Sequence, residues 1–159
     1  MPTMYPVAGK KLFIGSPAIA DKDSDFVKSD FDPVVWTEVK GWVTVGQIGD
    51  SAALVTSDQV STGRTKKQKG AKNAGSMENA FDILEGDPGQ DAMQAALASS
   101  DNFPIKVEFP LRQGQSTPTT RLFIGLVMGT PEQGGGANDP DRISSTIEIN
   151  SNLVLVPAT

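Results

Sequence analysis

Residues 61–97 read STGRTKKQKGAKNAGSMENAFDILEGDPGQDAMQAAL, and three kinds of local chemistry follow one another within them. From Ser61 to Ala74 there is no large apolar side chain, while Arg64, Lys66, Lys67, Lys69 and Lys72 supply five of the chain's 14 positive charges. A segment with nothing to bury predicts a long exposed hairpin loop over 61–74. From Met77 to Leu84 the pattern turns over every second residue. Met77, Phe81 and Ile83 fall on one face and Glu78, Ala80 and Asp82 on the other, which predicts a half-buried strand with Asn79 as the odd polar residue on its apolar side. Asp87 then offers a carboxylate to free helix amides, Pro88 suits the first helical position, and Gln90 stands where a capping box needs it, so a helix is expected over 87–99. Met93, Ala96 and Leu97 recur at helical spacing and give it a narrow apolar stripe suited to lying against a sheet.

Outward from this stretch the alternation is that of strands. Ile105, Val107 and Phe109 oppose Lys106 and Glu108, a turn is expected near Gln113 to Pro118, and Thr120 to Gly129 reads as a strand apolar on both faces. Thr130 to Arg142, with Gly134, Gly135 and Gly136 in a row, predicts a second exposed loop, and Ile143 to Val156 a final strand broken near Asn150 to Asn152. Upstream, Lys11 to Gly15 is a short strand, Val34 to Val45 holds two strand-like runs around Lys40 and Gly41, and Ala53 to Val60 leads into the basic segment. With no internal repeat and no shift of composition, residues 1–159 read as a single domain. Its class is α+β and mostly β, a sandwich or barrel with one packed helix and one long hairpin.

Composition narrows the chemistry. The chain has no His and no Cys, which removes the commonest general base, the thiolate nucleophile and nearly every transition-metal site. No Ser is followed three residues later by Lys, and aromatic residues make up only 6%, little material for a sugar-stacking cleft. The expectation is a protein that is not an enzyme and needs no cofactor. No apolar run is long enough for a transmembrane helix, and Met1 to Gly15 lacks the apolar core of a secretory signal, so a soluble protein made in the cytoplasm is expected. Two motif echoes fail on inspection. Gly70 to Ser76 has the glycine spacing of a phosphate-binding loop but puts Ser76 where the lysine belongs, and a strand pattern follows it. Asp21, Asp23 and Asp25 follow the opening of a calcium loop, yet Phe26 stands where glycine is needed and Asp32 where a bidentate glutamate is needed. A solvated acidic loop, extended by Asp30 and Asp32, fits better, with a bound cation left as an alternative.

The net charge of −5 includes the five cations of the basic segment, without which the body would stand at −10. A basic arm on an acidic body suits either a nucleic acid or the acidic surface of another copy. No Phe, Tyr or Trp lies between Trp42 and Phe81, which weighs against a nucleic-acid module that would stack bases.

The order of these parts resembles the major tail tube proteins of long-tailed, siphovirus-like bacteriophages. The similarity covers roughly Val34 to Arg142. It rests on Trp36 and Trp42 in the strand region, the run TGRTKKQKGAKNAGSME at 62–78, and DPGQDAMQAAL at 87–97. Such a resemblance implies a structural virion protein whose copies close into sixfold rings that stack into a hollow tail tube, made in the host cytoplasm. Its partners would be itself and the tail tip, tape-measure and terminator proteins, with DNA passing down the lumen without specific binding and no membrane involved. On this basis Arg64, Lys66, Lys67, Lys69 and Lys72 are expected to contact the next ring, and Asp58, Glu78, Asp82 and Glu108 are candidates for the lumen. The alternatives are the nucleic-acid-binding module, the tube component of a bacterial secretion system, and a tail terminator that forms a ring without stacking.

Overall fold

Residues 2–159 are described by a computed structural model. In chain order they form β1 (Lys11–Ser16), β2 (Val35–Val39), β3 (Trp42–Thr44), β4 (Ser51–Gln59), β5 (Arg64–Asn73), β6 (Ser76–Asp82), α1 (Pro88–Ala98), β7 (Phe103–Glu108), β8 (Thr120–Gly129), β9 (Glu132–Gln133), β10 (Arg142–Ile149) and β11 (Val154–Val156). A short 3-10 turn, Lys28–Phe31, precedes β2. Nine of the strands make one sheet in the order β2-β1-β7-β8-β10-β6-β3, with β11 added to β8 and β9 to β10, while β4 and β5 pair only with each other. The expected class therefore stands: mostly β, with one α-helix.

The sheet's two edges belong to consecutive strands. β2 and β3 lie at opposite ends of the order, yet only Lys40 and Gly41 separate them in sequence, a span of less than about 11 Å even fully extended. The sheet must therefore roll until its edges meet. No ladder of hydrogen bonds joins β2 to β3, so this is an open sheet drawn round to a seam by its own chain. Gly41 turns the corner at φ +83°, a conformation that costs glycine little, and its carbonyl accepts a 2.8 Å hydrogen bond from the Asp82 amide of β6.

The start of α1 fills the seam. The Asp87 carboxylate accepts from the Gln90 amide at 3.1 Å, as a cap should, and also from the Lys40 amide at 3.2 Å. Gln90 does not complete the expected capping box: its side-chain amide donates to the carbonyls of Lys40 and Asp82, and its oxygen accepts from the Leu84 amide. Those groups lie where β2 and β6 end, and satisfying them outweighs a second bond to the cap residue. Asp87→Ala removes both bonds from a buried carboxylate and leaves Lys40 N–H unpaired, so stability is expected to fall by about 1–2 kcal/mol. Urea denaturation measures it; an unchanged midpoint would mean that the cap does not hold the seam.

The core has two parts, one on each face of the sheet. On the helix side, Leu12, Ile14, Val39, Met77, Phe81, Ile105, Val107, Phe123, Ile143 and Ile147 pack with Met93 and Ala96 of α1, each large side chain contributing roughly 1.5–3 kcal/mol by leaving water. On the other face Leu122 and Ile124 meet Phe26, Phe31 and Val34. That second cluster is why β8 is apolar on both sides, and it gives the N-terminal segment its place.

Local departures from expectation have local causes. Asn79, the polar residue on the apolar side of β6, is buried because its side-chain oxygen accepts from Trp42 Nε1 at 3.1 Å and the Gly46 amide at 2.9 Å, tying β3 and the following segment to β6. Leu97 stays 37% exposed, so the helix stripe that packs is Met93 and Ala96. Within the expected loop at 130–142, Glu132–Gln133 pairs with the start of β10. The largest difference is at 61–74. Residues 64–73 are a strand, and the turn itself is only 60–63, closed by the Gly63 amide donating to Gln59 O at 3.0 Å. Lack of large apolar residues marks exposure on both faces, and a solvated ribbon satisfies that as well as a loop does.

Candidate assembly surfaces

β4 and β5 form a ribbon that stands outside the sheet. Every residue of β4 is exposed, and every residue of β5 except Gly70. The register places Leu54 opposite Lys69, Thr56 opposite Lys67 and Asp58 opposite Thr65 on one face, with Val55 opposite Gln68, Ser57 opposite Lys66 and Gln59 opposite Arg64 on the other. Alternation thus sends Lys67 and Lys69 to one side and Arg64 and Lys66 to the other. Lys72 lies beyond a register shift between Ala52 and Leu54, opposite Ala52. Among the described residues the ion pairs are Lys22–Asp30, Lys106–Glu108 and Arg142–Asp82. None of the five ribbon cations takes part. Asp58, the one acid within β4, accepts a 2.6 Å hydrogen bond from the Thr65 hydroxyl.

The ribbon also exposes apolar surface that its basic half hides in the sequence. Leu54 is 67% exposed, Val55 50% and Val60 fully. A period-2 strand with apolar residues on both faces and no packed neighbour is the signal that could have marked them as contact residues.

The second surface is the sheet face opposite α1, where β6 and β10 run side by side. Cross-strand pairs there are Asp82 with Arg142, Ala80 with Ser144, Glu78 with Thr146 and Ser76 with Glu148. Arg142 Nε donates to Asp82 at 3.1 Å, the Ser76 hydroxyl donates to Glu148, and Gln133 donates to the Ser144 hydroxyl at 2.5 Å. No element of the chain packs its apolar side onto this polar strip. Of the four lumen candidates, Glu78 and Asp82 share it. Glu108 lies on the same sheet face but across β8, 3.9 Å from Lys106, and Asp58 lies on the ribbon. Glu148 belongs with Glu78 and is not among the sequence candidates; its place in the alternation Thr146, Ile147, Glu148, Ile149 is the signal that marks it.

Around Glu108 the face is different in kind. Lys106 Nζ sits 4.4 Å from the Phe13 ring centroid and 5.1 Å from that of Trp36; burial pushes its pKa below the usual lysine value, and the Glu108 carboxylate opposes that shift. This is a groove lined by Phe31, Val34, Trp36 and Leu122, more apolar than the β6–β10 strip.

The acidic N-terminal loop does not converge on a cation. Among the described residues no three acidic side chains gather as a metal site. Asp30 is paired with Lys22 at 2.7 Å, and this bond with the Val27 amide holds its carboxyl below the ordinary aspartate pKa. Phe26, which broke the calcium-loop pattern, is a core residue of the second cluster.

No protein-family model matches the chain, and no curated protein aligns with it significantly. Solved structures do share its fold. A chain of the anti-feeding prophage (AFP) baseplate superposes with a TM-score of 0.70 at 11% identity, covering 98% of this chain and 97% of that one. A chain from the sheath/tube terminator of an extracellular contractile injection system, PVC, gives 0.69 at 10% identity over 98% and 99%. The SPP1 tail tube gives 0.63 at 12% identity over 94% and 78%. The chain has the tail-tube fold. That fold is shared between a phage tail and contractile injection systems, so it does not single out long-tailed phages.

Proposed function

We propose that this protein is a structural subunit that self-assembles into sixfold rings stacked as a hollow phage tail tube. The observation that carries the reading is the β4–β5 ribbon: two strands paired with nothing else, exposed throughout, with five cations that find no carboxylate. An isolated two-stranded hairpin is marginal in water, so it gains order from a neighbour that supplies acidic and apolar surface. An adjacent ring of an acidic protein is such a neighbour. The tail-tube fold supports the choice. Negative-stain electron microscopy of the concentrated protein is the test. Tubes are expected; a population that stays monomeric at every concentration, and when a tail-tip complex is offered as a nucleus, would rule the reading out. The specific observation favouring a second reading is the match to a tube terminator, and rings that never stack would select it.

The β6–β10 strip is the better lumen surface on this reading, because it is polar and carries Glu78 and Glu148, while its one cation, Arg142, is paired with Asp82. A ring of six would carry a net charge of −30, six times that of one chain. Such a bore repels phosphate and lets DNA slide. Assembled tubes are expected not to retain duplex DNA at physiological salt, and Glu78→Lys with Glu148→Lys is expected to make them retain it. Filter retention of labelled duplex at several salt concentrations measures this. Sub-micromolar binding by the unaltered tubes would overturn the passive conduit and favour a nucleic-acid module. In the virion the tube's further partners would be the tail tip, the tape-measure protein and the terminator.

A further inference from the structure

Three cations from three separate segments converge on one ring. Lys10 Nζ lies 4.3 Å from the Phe109 centroid, the Arg121 guanidinium 4.9 Å and the Arg112 guanidinium 5.9 Å, and Arg112 also stacks on Tyr5 at 3.7 Å. None of the three is in an ion pair among the described residues. Arg112 Nε is shut off from solvent without a hydrogen-bond partner. Ring faces offset part of the repulsion among gathered cations, but guanidinium donors of this kind are completed by an anion, above all a carboxylate.

The chain carries a matching acid at the far end of β8. Residues 131–141 are all exposed, and the loop from Thr130 bears Glu132, Asp139 and Asp141 with no Lys or Arg. Among the described residues none of these carboxylates is in an ion pair, and Asp139 accepts the Gly136 amide at 2.8 Å. Arg121 is the second residue of β8 and Thr130 follows its last, a separation along the strand of roughly 30 Å. The pairing of β9 with β10 holds the loop at that end. One chain cannot close this pair on itself, and complementary patches at opposite ends of a subunit are the head-to-tail arrangement that builds rings and filaments.

We propose that the Phe109 cation cluster is the docking site for the acidic 130–141 loop of a second copy of this chain. The proposal rests on the self-association inferred above and names one of its contacts. A carboxylate loop is favoured over a nucleic acid because Arg112 already stacks on Tyr5 and three cations already gather on Phe109, which packs against the core, so a base would have to compete with those cations to stack.

Charge reversal tests it, read as the critical concentration for assembly by light scattering. Arg112→Glu with Arg121→Glu is expected to raise that concentration roughly tenfold or more, Asp139→Lys with Asp141→Lys likewise, and the chain with all four substitutions to recover to within about twofold of the unaltered protein. Recovery in the fourfold variant also shows that the pairs fold. If the unaltered chain never assembles, the self-association reading fails and this contact with it. If it assembles and neither pair changes the critical concentration, only this contact fails. Loss without recovery in the fourfold variant also overturns the pairing. Sub-micromolar binding of a fluorescent oligonucleotide by the unaltered chain, abolished by Arg112→Glu with Arg121→Glu, would assign the cluster to nucleic acid instead.

Discussion

Replacing Lys66, Lys67 and Lys69 together with glutamate is expected to stop tube growth at single rings while leaving the fold intact. The three side chains project from both faces of the ribbon, so the change reverses the charge of the face that bears Lys67 and Lys69 and cancels that of the face that bears Arg64 and Lys66. Each exposed ion pair is worth under about 1 kcal/mol, but three per subunit repeated around a ring add up through multivalency to a contact that decides whether rings stack. Reversal goes further than loss, since the acidic neighbour then repels. The fold should not notice, because all three are exposed on a ribbon whose strands pair only with each other; surface changes of this kind shift stability by about 0.5 kcal/mol or less each. Tube length by electron microscopy, measured beside a thermal melt, separates the two effects. Normal-length tubes from the triple variant would show that the ribbon's charge does not hold rings together.

Gly89→Ala is expected to destabilise the protein by about 2–3 kcal/mol, even though alanine is the better helix former. A Cβ at position 89 would lie 2.1 Å from the Glu38 carbonyl oxygen and 2.5 Å from Val39 Cα. Both are backbone atoms of β2 and cannot swing aside, so the first turn of α1 must lift away from the strand. Lifting it stretches the hydrogen bonds that Asp87 and Gln90 make to Lys40 and Asp82 across the seam. Helix propensity acts in the opposite direction, by up to about 1 kcal/mol and less in the first turn, so the sign of the measured change is itself informative. Chemical denaturation settles it. A variant as stable as the parent would mean that the helix does not need to approach β2 this closely.

Much of the secondary structure was legible because it is a local property. The cap at Asp87 and the stripe of Met93 and Ala96 marked α1 within a residue of its ends. Alternation marked β6, β7, β8 and the break between β10 and β11. The candidate surfaces were less legible. Glu78 and Asp82 were correctly put on one face of one strand, but Glu108 and Asp58 were grouped with them only by charge, and charge does not say which strand pairs with which. The basic segment buries nothing, which predicts a loop, whereas backbone pairing with β4 makes it a strand without any burial.

What the sequence by itself determined is therefore the set of parts: the strands and their apolar faces, the capped helix, and the separation of a basic arm from an acidic body. Only the tertiary structure decided that β2 and β3 end on opposite edges of one sheet and meet again at Gly41. It also decided that β6 lies beside β10 to gather Glu78 with Glu148, and that Lys10, Arg112 and Arg121 surround Phe109. The physical reason is range. Alternation and capping arise from contacts within a few residues, whereas pairings such as β6 with β10 form between segments some 60 residues apart and are selected by how the whole sheet packs round its core.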